Sequence, residues 1–574
     1  MTKLKKKKSK KRTKKQLSIL DLNVEESFEY LCQAAKAEGH YSLKLDDYRF
    51  GLSEDLLAKT ELLSKLGSKV NVDLSNSESN DWTRIVDLYS NPDIESAFDA
   101  LAILTVIAQD PASCPQKRVI DLLQNIYQSQ ASEDAELMLN DPVTHQLLYG
   151  ELPITLGLRF PMLQESDELV HDGRQLLANG MQELLDGDGL PHGNYVNQSG
   201  MLLAIWTRAL KLCDLANTEC FDIDAQTQYE YFVRQMLRLV RRDGTLVFSE
   251  DEVDLKKLMA SALSCYHDDD DKALAGVVFP KAKSEKRKKT SLNSLPEAST
   301  NSEWGELTVM QTEWLPKSPK LSVHYGQRKI QAELSSAGVL LNGEIQNQIF
   351  LDEKVVTATT DWEVVCWHSD QDGDFLELEC ELENGAKWQK HFLLARSELF
   401  LLTADVLMNT GAKQVRLEST WPMAADVGFG VAHETNELFL TRKAKTAAGL
   451  IPIALPEWKT ERTDSRVSLS GSQLEFVMVG TGDNLYCPMF FDLDPKRCRK
   501  QLTWRQLTVA EKLEILPQSD AVGYRIHVGN QQWLVYRSLV EPESRTVFGQ
   551  NFSVEFYVGT FESDGTSSEI ISVD

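Results

Sequence analysis

The sequence predicts an α+β protein of two domains, an N-terminal domain of helical hairpins followed by a C-terminal antiparallel β-sandwich. Three observations lead to this prediction. From about Val24 to Ala275, apolar residues recur every three or four positions, the period of helices with one buried face. From Trp304 onward the period is two, as in half-buried strands. Between these halves, residues 281–303 are basic and then rich in Ser, Thr and Asn, a composition typical of a linker.

The helical half is predicted from six amphipathic segments. In Ile94–Leu104 the apolar side chains share one helix face, and the same pattern recurs in Val119–Tyr127, His145–Leu158, Gly173–Leu185, Met201–Leu215 and Tyr229–Val240. Asn91 and Asp141 each precede a proline and are predicted to cap the start of a helix. Short polar turns between the segments favour antiparallel helix pairs, in a bundle or a toroid.

The second half is predicted to be a β-sandwich because its strands alternate and are joined by turn dipeptides. Phe375–Leu382 alternates cleanly, and Asn384-Gly385 then leads into Trp388–Leu394, which predicts a hairpin. Asn342-Gly343 predicts a second hairpin in the same way. Further strands are predicted at Leu474–Val479, Val522–Val528, Gln532–Tyr536 and Val554–Val558. Nine of the eleven tryptophans lie in this half, as expected for the core of a sandwich.

The N-terminus carries a strong positive charge on an acidic protein. Residues 1–15 contain nine lysines, one arginine and no acid, and residues 1–20 are predicted to form a disordered tail. This tail could contact polyanions such as RNA or anionic lipid, and a purely solubilising tail is the alternative. The rest of the chain is more acidic than the total of −25, so it should repel polyanions unless a basic groove reverses the field.

Targeting signals and cysteines indicate the compartment. No apolar segment of a secretion signal follows the tail, and no run approaches the roughly 18 apolar residues of a membrane span. The chain has nine cysteines, an odd number, and none has CxxC spacing, which predicts reduced thiols. We therefore expect a cytoplasmic protein without a membrane span, and no oligomeric state is predicted.

The stretch Leu184–Asp251 carries a family resemblance. A Gly- and Asp-rich loop ends in His192-Gly193-Asn194-Tyr195, two helices follow, and a turn closes the stretch at Arg242–Leu246. This arrangement resembles the toroid half of the heparinase II/III-like polysaccharide lyases. The resemblance implies an α/α-toroid over residues 21–280 and a β-sandwich over residues 304–574. It also implies β-elimination of an acidic, uronate-containing polysaccharide or oligosaccharide, without a cofactor.

Elimination beside a uronate carboxylate has three chemical requirements. The carboxylate must be neutralised or hydrogen-bonded, a base must remove the neighbouring proton, and an acid must protonate the leaving oxygen. The resemblance assigns the first task to His192 and Asn194 and the proton transfer to Tyr195 or Tyr231. It implies a contribution from the second half by His324 or Tyr325. The alternative for the loop is a simple helix cap, and Tyr231 could be a core residue.

A second set of residues is predicted to bind the polymer. These are Gln198, which keeps hydrogen-bonding capacity at a position where relatives carry charge, the helix residues Arg234, Arg238 and Arg242, and Trp421. Arginines spaced along one helix face could hold polymer charge, and a solvated basic face is the alternative. Trp421 could stack on a sugar ring, with packing inside the sandwich as the alternative.

The second half departs from the family pattern. The stretch His324–Ser335 matches a family motif with paired histidines, yet Gln327, Lys329 and Gln331 stand in their places. The ten histidines are dispersed, so no zinc or other metal site is predicted. The loss favours an alternative function, a non-catalytic glycan-binding or scaffold protein that retains the lyase fold. A third alternative is a nucleic-acid or ribosome-associated protein that uses the Lys-rich tail.

Overall fold

The computed structural model describes residues 16–24, 27–38, 43, 45–60, 80–109, 114–249, 253–266, 268–280, 295–315, 317–562 and 565–574. The chain forms two compact units. The helical unit comprises the chain up to Pro191 together with Asn197–Met236 and Asp243–Asp269. The sheet unit comprises Asp270–Asp574 and two short segments from the helical half, His192–Val196 and Leu237–Arg242. The His192 loop therefore belongs to the sheet unit, although it lies far before the boundary predicted within residues 281–303.

The described α-helices are α1 Phe28–Glu38, α2 Leu45–Arg49, α3 Glu54–Lys59, α4 Asn80–Val86, α5 Ile94–Gln109, α6 Gln116–Ser129, α7 Ala135–Asn140, α8 Pro142–His145, α9 Leu152–Arg159, α10 Ser166–Leu184, α11 Ser199–Leu215, α12 Ile223–Leu239, α13 Lys256–Ala262 and α14 Asp269–Val278. All six predicted segments are helical. Their apolar faces are buried, as the periodicity requires; Leu101, Leu123, Leu203 and Phe232 are almost fully inaccessible to solvent.

Helix starts follow side-chain capping. Asp141 caps α8 as predicted, because its carboxylate accepts a hydrogen bond from the Thr144 N–H at 3.1 Å and Pro142 occupies the first turn. The predicted cap at Asn91 is wrong. Helix α5 begins at Ile94, and Asp93 supplies the acceptor for the Ser96 N–H at 2.7 Å.

The segment predicted as one helix over His145–Leu158 contains a π-helical turn, Gln146–Glu151, between α8 and α9. The turn is buried throughout and its polar side chains are paired. Gln146 accepts a hydrogen bond from the Trp206 indole at 3.1 Å. Glu151 forms two short bonds with the Arg208 guanidinium, at 2.6 and 2.7 Å. These pairs tie the turn to α11.

The last residues of the predicted tail are packed against the helical unit. These are residues 16–20, whereas residues 1–15 lie outside the described residues. Ile19 is fully buried, and its N–H donates to Glu165 at 2.9 Å. Leu17 forms a β-bridge with Leu163. The apolar side chains of Leu17 and Ile19 account for this packing, because their burial favours an ordered segment.

The sheet unit contains 26 described strands, at Thr300–Ser302, Leu307–Gln311, Lys320–His324, Ile330–Ser335, Val339–Leu351, Lys354–Val356, Glu363–Ser369, Gly373–Glu381, Lys387–Ala395, Phe400–Met408, Gln414–Pro422, Val427–Val431, Leu438–Arg442, Lys445–Ile451, Arg466–Ser470, Gln473–Thr481, Leu485–Asp492, Leu502–Leu507, Val509–Glu511, Glu514–Ile515, Ala521–Val528, Gln531–Ser538, Arg545–Val547, Gln550–Phe552, Phe556–Phe561 and Ser567–Val573, numbered β1 to β26 in that order. Linker residues 281–294 lie outside the described residues. The first strand begins at Thr300, four residues before the predicted start of the β half.

The strands form four antiparallel sheets, here called sheets A to D. Sheet A has the order β1-β2-β3-β4-β5-β11-β16-β15, with β6 also paired to β5. Sheet B has the order β12-β13-β14-β17-β10-β9-β8-β7, sheet C β18-β21-β22-β25-β26, and sheet D β20-β19-β23-β24. Sheets A and B share one hydrophobic cluster, sheets B and C a second, and sheets C and D a third. Sheet B is therefore covered on both faces.

One predicted hairpin is confirmed and the other is wrong. Strands β8 and β9 pair across Asn384-Gly385, and Gly385 adopts a left-handed conformation. Asn342-Gly343 makes no turn, because Val339–Leu351 is one continuous strand. A Cβ at Gly343 would stand 2.8 Å from the Pro422 ring, so the glycine permits close packing there instead of a chain reversal.

Two further properties concern the whole of the described chain. None of the described helices is long and apolar enough to cross a membrane. The eight described cysteines whose state is resolved are all free thiols, six of them buried.

Candidate functional site

The loop that carries His192 is anchored to the start of the sheet unit. The Gly193 N–H donates to the Gly305 carbonyl at 2.7 Å, and the Tyr195 N–H donates to the His192 carbonyl at 2.8 Å. These bonds stabilise the short helical turn Gly193–Gln198, which exposes Asn194 and leaves Tyr195 half-buried. The loop thus presents an imidazole, an amide and a phenol from four consecutive residues.

The His192 imidazole lies between a carboxylate and two aromatic rings. Its Nε2 is 3.7 Å from Glu306 Oε2, and its ring centroid is 5.5 Å from that of Trp304, edge to face. The Tyr195 ring centroid is 6.0 Å away. Nδ1 accepts the Asn194 N–H at 3.3 Å. A neutral imidazole that accepts at Nδ1 carries its proton on Nε2, which makes Nε2 the hydrogen-bond donor of this site.

His324, at the end of β3, packs against the same loop. A Cβ at Gly193 would stand 2.1 Å from the His324 ring, and a Cβ at Gly326 would stand 2.8 Å from His324 Nε2 and 2.2 Å from Glu306 Oε2. Two glycines therefore allow His324, Glu306 and the His192 loop to approach closely. His324 Nε2 is buried without a hydrogen-bond partner among the described residues.

Burial keeps both imidazoles neutral at pH 7. Loss of solvation lowers the pKa of His192 below its ordinary value of 6.5, although the nearby Glu306 carboxylate opposes the shift. Loss of solvation, with a smaller contribution from His192, lowers the pKa of His324 to about 4. A neutral imidazole can accept a proton or donate its own N–H, but a pKa of about 4 makes His324 a weak base near neutral pH.

The low pKa of His324 predicts a pH-dependent loss of stability. The unfolded chain binds a proton at His324 near pH 6.5 and the folded chain only near pH 4, so stability falls as the pH drops through this window. Between pH 7 and pH 5 the free energy of unfolding of the wild type should fall by about 2 kcal/mol more than that of His324→Gln, because glutamine does not titrate. Urea unfolding at the two pH values measures the difference, and equal losses would contradict the buried neutral state.

Comparisons with known proteins concern the whole chain. No family model and no curated protein matches the sequence. Among solved structures, a heparan sulfate lyase from Pedobacter heparinus is similar with a TM-score of 0.54 at 11% identity, over 91% of this chain and 90% of that one. A heparinase III gene product has a TM-score of 0.56 at 11% identity, over 91% and 92% of the two chains. Another heparinase III has a TM-score of 0.55 at 9% identity, over 92% and 93%.

The chain has the heparinase III fold. The structure brings together four of the residues predicted from the sequence: His192, Asn194, Tyr195 and His324. All four belong to the sheet unit.

Two predicted residues are buried elsewhere and need correction. The Tyr325 ring belongs to the cluster between sheets A and B, and its hydroxyl donates to the Ser302 carbonyl at 3.3 Å. Burial raises the pKa of Tyr325 well above 10, so the phenol is a poor acid or base. Trp421 is 1% exposed in the same cluster, with the Lys390 ammonium 5.0 Å over its ring, and offers no face to a sugar.

The predicted arginines have different surroundings. Arg238 is buried, donates to the Glu297 carbonyl at 2.7 Å and lies over the Trp314 ring, so it is not available to polymer. Arg242 is exposed. In the helical unit, Arg234 lies 3.3 Å from Asp268 and over the ring of Tyr231, a partly exposed phenol. Gln198 is half-buried in the same unit, and its Oε1 is buried without a hydrogen-bond partner among the described residues.

Sequence reasoning missed two neighbours of His192. Trp304 is 49% exposed and stands edge-on to His192, so it is the aromatic side chain of this cluster that a sugar ring could reach. Glu306 lies beside both histidines, in a left-handed backbone conformation that is uncommon outside glycine. The one sequence signal was the run Trp304-Gly305-Glu306 at the very start of the β half, which has no motif of its own.

Metal ligation needs several donor side chains that converge on one point. Among the described residues, no three His, Cys, Asp or Glu side chains converge in a way that could hold a metal ion. The His192 and His324 cluster contains a single carboxylate, that of Glu306.

Proposed function

We propose that this protein is a polysaccharide lyase that cleaves an acidic, uronate-containing glycan by β-elimination. The observation that supports it most is the cluster of His192, Asn194, Tyr195 and His324, with both imidazoles neutral at pH 7, in a chain with the heparinase III fold. The similar structures bear the names heparan sulfate lyase and heparinase III. A uronate-containing substrate is consistent with those names.

The reaction moves one proton from carbon to oxygen and consumes no water. The proton on C5 leaves to a base, and its electron pair forms the C4=C5 double bond. The C4–O bond breaks, and the leaving oxygen takes a proton. The difficult step is removal of the C5 proton, because negative charge builds up beside a carboxylate.

Asn194 and His192 are proposed to stabilise that charge. The Asn194 amide is exposed, and the Nε2–H of neutral His192 can donate to a carboxylate oxygen. When a uronate binds, His192 faces a second carboxylate besides Glu306, and the two negative charges raise its pKa. His192 would then hold its proton more firmly as charge accumulates on the substrate.

Tyr195 is proposed to transfer the proton. It is the phenol in contact with His192, at 6.0 Å between ring centroids. Tyr231 of the helical unit is the alternative, since it is partly exposed. His324 contributes an imidazole from β3, and Trp304 offers a surface on which a sugar ring can stack. Arg242, which is exposed, remains the candidate for binding polymer charge.

A non-catalytic glycan-binding protein is the second candidate. Two observations favour it: the Tyr325 hydroxyl is buried, and the Nε2 of His324 is inaccessible to solvent. The Glu306 carboxylate beside His192 also opposes the approach of an anionic sugar unless His192 is protonated. Such a protein would bind the polymer at Asn194 and Trp304 without cleaving it.

The two candidates are separated by ultraviolet absorbance of the unsaturated product. Wild-type protein is incubated with heparan sulfate, hyaluronan, chondroitin sulfate and alginate, together with Asn194→Ala and the matched control Asn551→Ala, an exposed residue of β24. We expect absorbance to rise with one substrate and to rise about 10²–10³-fold more slowly for Asn194→Ala, as for loss of one hydrogen-bond donor to a developing charge. A flat trace from folded protein that retains binding would favour the second candidate.

A further inference from the structure

Sheet A has a gap along one edge of its longest strand, β5. On this edge, β4 pairs with residues up to Ile345, and β6 pairs with residues from Ile349 onward. Strand β11 pairs with the opposite edge. Gln346, Asn347 and Gln348 therefore have no neighbouring strand on the gap side among the described strands. Because backbone groups of a strand point alternately to its two edges, at least one N–H and C=O pair faces the gap.

A depression of about 650 Å³ lies at this gap. Its walls combine the amides of Gln346 and Gln348, the hydroxyls of Thr357 and Thr420, and the apolar surface of Val356 and Trp362. The volume lies within the range typical of small-molecule sites, about 300–1,000 Å³. The depression is lined by both polar and apolar groups.

Two buried polar atoms at this depression lack hydrogen bonds among the described residues. They are the indole nitrogen of Trp362, a side chain that is 95% buried, and Oδ1 of Asn347. Buried polar groups are almost always paired, so two such atoms beside one cavity indicate a site whose hydrogen bonding is completed by something else. Trp362 is held rigidly, since its ring contacts Trp388 edge to face at 4.7 Å.

The length of the gap argues against a peptide strand as its occupant. From Ile345 to Ile349 the opening spans about 13 Å at roughly 3.3 Å per residue. Strand β4 closes one end and β6 the other. A peptide added to this edge would collide with them after about three residues, whereas two linked sugar rings fit within that length.

The charges around the rim favour a neutral ligand. Lys329 is paired with Glu344 at 3.1 Å, and Arg328 with Asp361 at 3.4 Å. Glu418 is paired with Arg416. Each charge thus has an opposite partner, which leaves amides, hydroxyls and the indole as the recognising groups. These suit sugar hydroxyls, which can accept the indole N–H of Trp362 and exchange hydrogen bonds with the amides.

We propose that the gap between β4 and β6 binds a short neutral oligosaccharide, of two sugar units, at a site distinct in its residues from the His192 cluster. Gln346 and Gln348 hydrogen-bond the hydroxyl edges of the sugar, and the Trp362 indole N–H donates to a further sugar oxygen. The role is recognition of a glycan, and no bond is made or broken there.

The experiment is isothermal titration calorimetry of the full chain with cellobiose, maltose and N,N′-diacetylchitobiose. A heparan sulfate disaccharide and the tripeptide Val-Thr-Val are titrated in parallel. The test variant is Gln346→Ala/Gln348→Ala. Its matched control is Gln506→Ala/Gln518→Ala. These two glutamines are exposed and are joined by a hydrogen bond of 2.9 Å, and neither lines the depression. Thermal unfolding confirms that both variants are folded.

We expect one neutral disaccharide to bind the wild type. Its affinity should fall about tenfold or more in the test variant and stay unchanged in the control. No binding of any neutral disaccharide by folded wild type would overturn the proposal, as would binding that the test variant leaves intact. Preference for the tripeptide or for the anionic disaccharide would also overturn it. The lyase assay is separate: Gln346→Ala/Gln348→Ala should still cleave, and Asn194→Ala should still bind the neutral disaccharide.

Discussion

Replacement of His192 by alanine is expected to lower kcat/KM for uronate elimination by about 10²–10³-fold, the range for loss of one hydrogen-bond donor to a developing charge. The side chain provides the Nε2–H donor, fixed by the Asn194 N–H on Nδ1 and by Glu306. His192→Gln keeps an N–H donor at a similar distance from the backbone and should recover part of the activity. Initial rates with the substrate found by the panel measure both effects.

The matched control for this prediction is His433→Ala, which removes an exposed histidine outside the cluster and should leave the rate unchanged. The pH profile adds an independent readout. Because the pKa of His192 lies below 6.5 and protonation keeps the Nε2–H while adding a positive charge, kcat/KM of the wild type relative to His192→Gln should rise as the pH drops below that value. An unchanged rate in His192→Ala would remove His192 from the mechanism.

The largest effect on stability is expected for Arg208→Ala. The Arg208 guanidinium and the Glu151 carboxylate are 1% and 3% exposed and are joined by two hydrogen bonds. Removal of the arginine leaves a buried carboxylate without its cation, which costs about 3–5 kcal/mol. Chemical denaturation monitored by far-ultraviolet circular dichroism should show the corresponding fall in the free energy of unfolding.

Two further variants distinguish a lost charge partner from general damage. Glu151→Leu/Arg208→Met replaces both charges by apolar groups of similar size, and should recover most of the stability lost in Arg208→Ala. Lys59→Ala breaks an exposed pair with Asp55 and should leave the free energy of unfolding almost unchanged. If the double variant were as unstable as Arg208→Ala, packing of the arginine side chain rather than the unpaired charge would account for the loss.

The helices and most strands could be predicted because their signals are local. Ile94–Leu104 and Phe375–Leu382 show their period within a few residues, and burial of one face follows directly. The failures depend on contacts distant in sequence. Gly343 allows Pro422 to approach instead of making a turn, and Ile19 becomes ordered because Glu165 accepts its N–H. The burial of sheet B on both faces likewise depends on strands more than 100 residues away.

The site was only partly predictable for the same reason. His192, Asn194 and Tyr195 are adjacent in sequence and were found together, and His324 was found through its place in a longer motif. Glu306 and Trp304 belong to no sequence motif, because their position beside His192 arises from the bond between Gly193 and Gly305. Tyr325 and Trp421 were predicted as site residues from their residue type alone. Both are buried in the core, so they are not accessible to a glycan.

The central claim is tested most directly by product analysis after incubation in water enriched in ¹⁸O. Elimination forms a C4=C5 double bond and takes no oxygen from water, whereas hydrolysis adds one water oxygen, at one of the two new ends. We expect a vinylic proton signal in the nuclear magnetic resonance spectrum of the fragments and no ¹⁸O in their mass spectrum. Fragments that contain ¹⁸O without a vinylic proton, or intact polymer bound to folded protein, would contradict the proposed lyase.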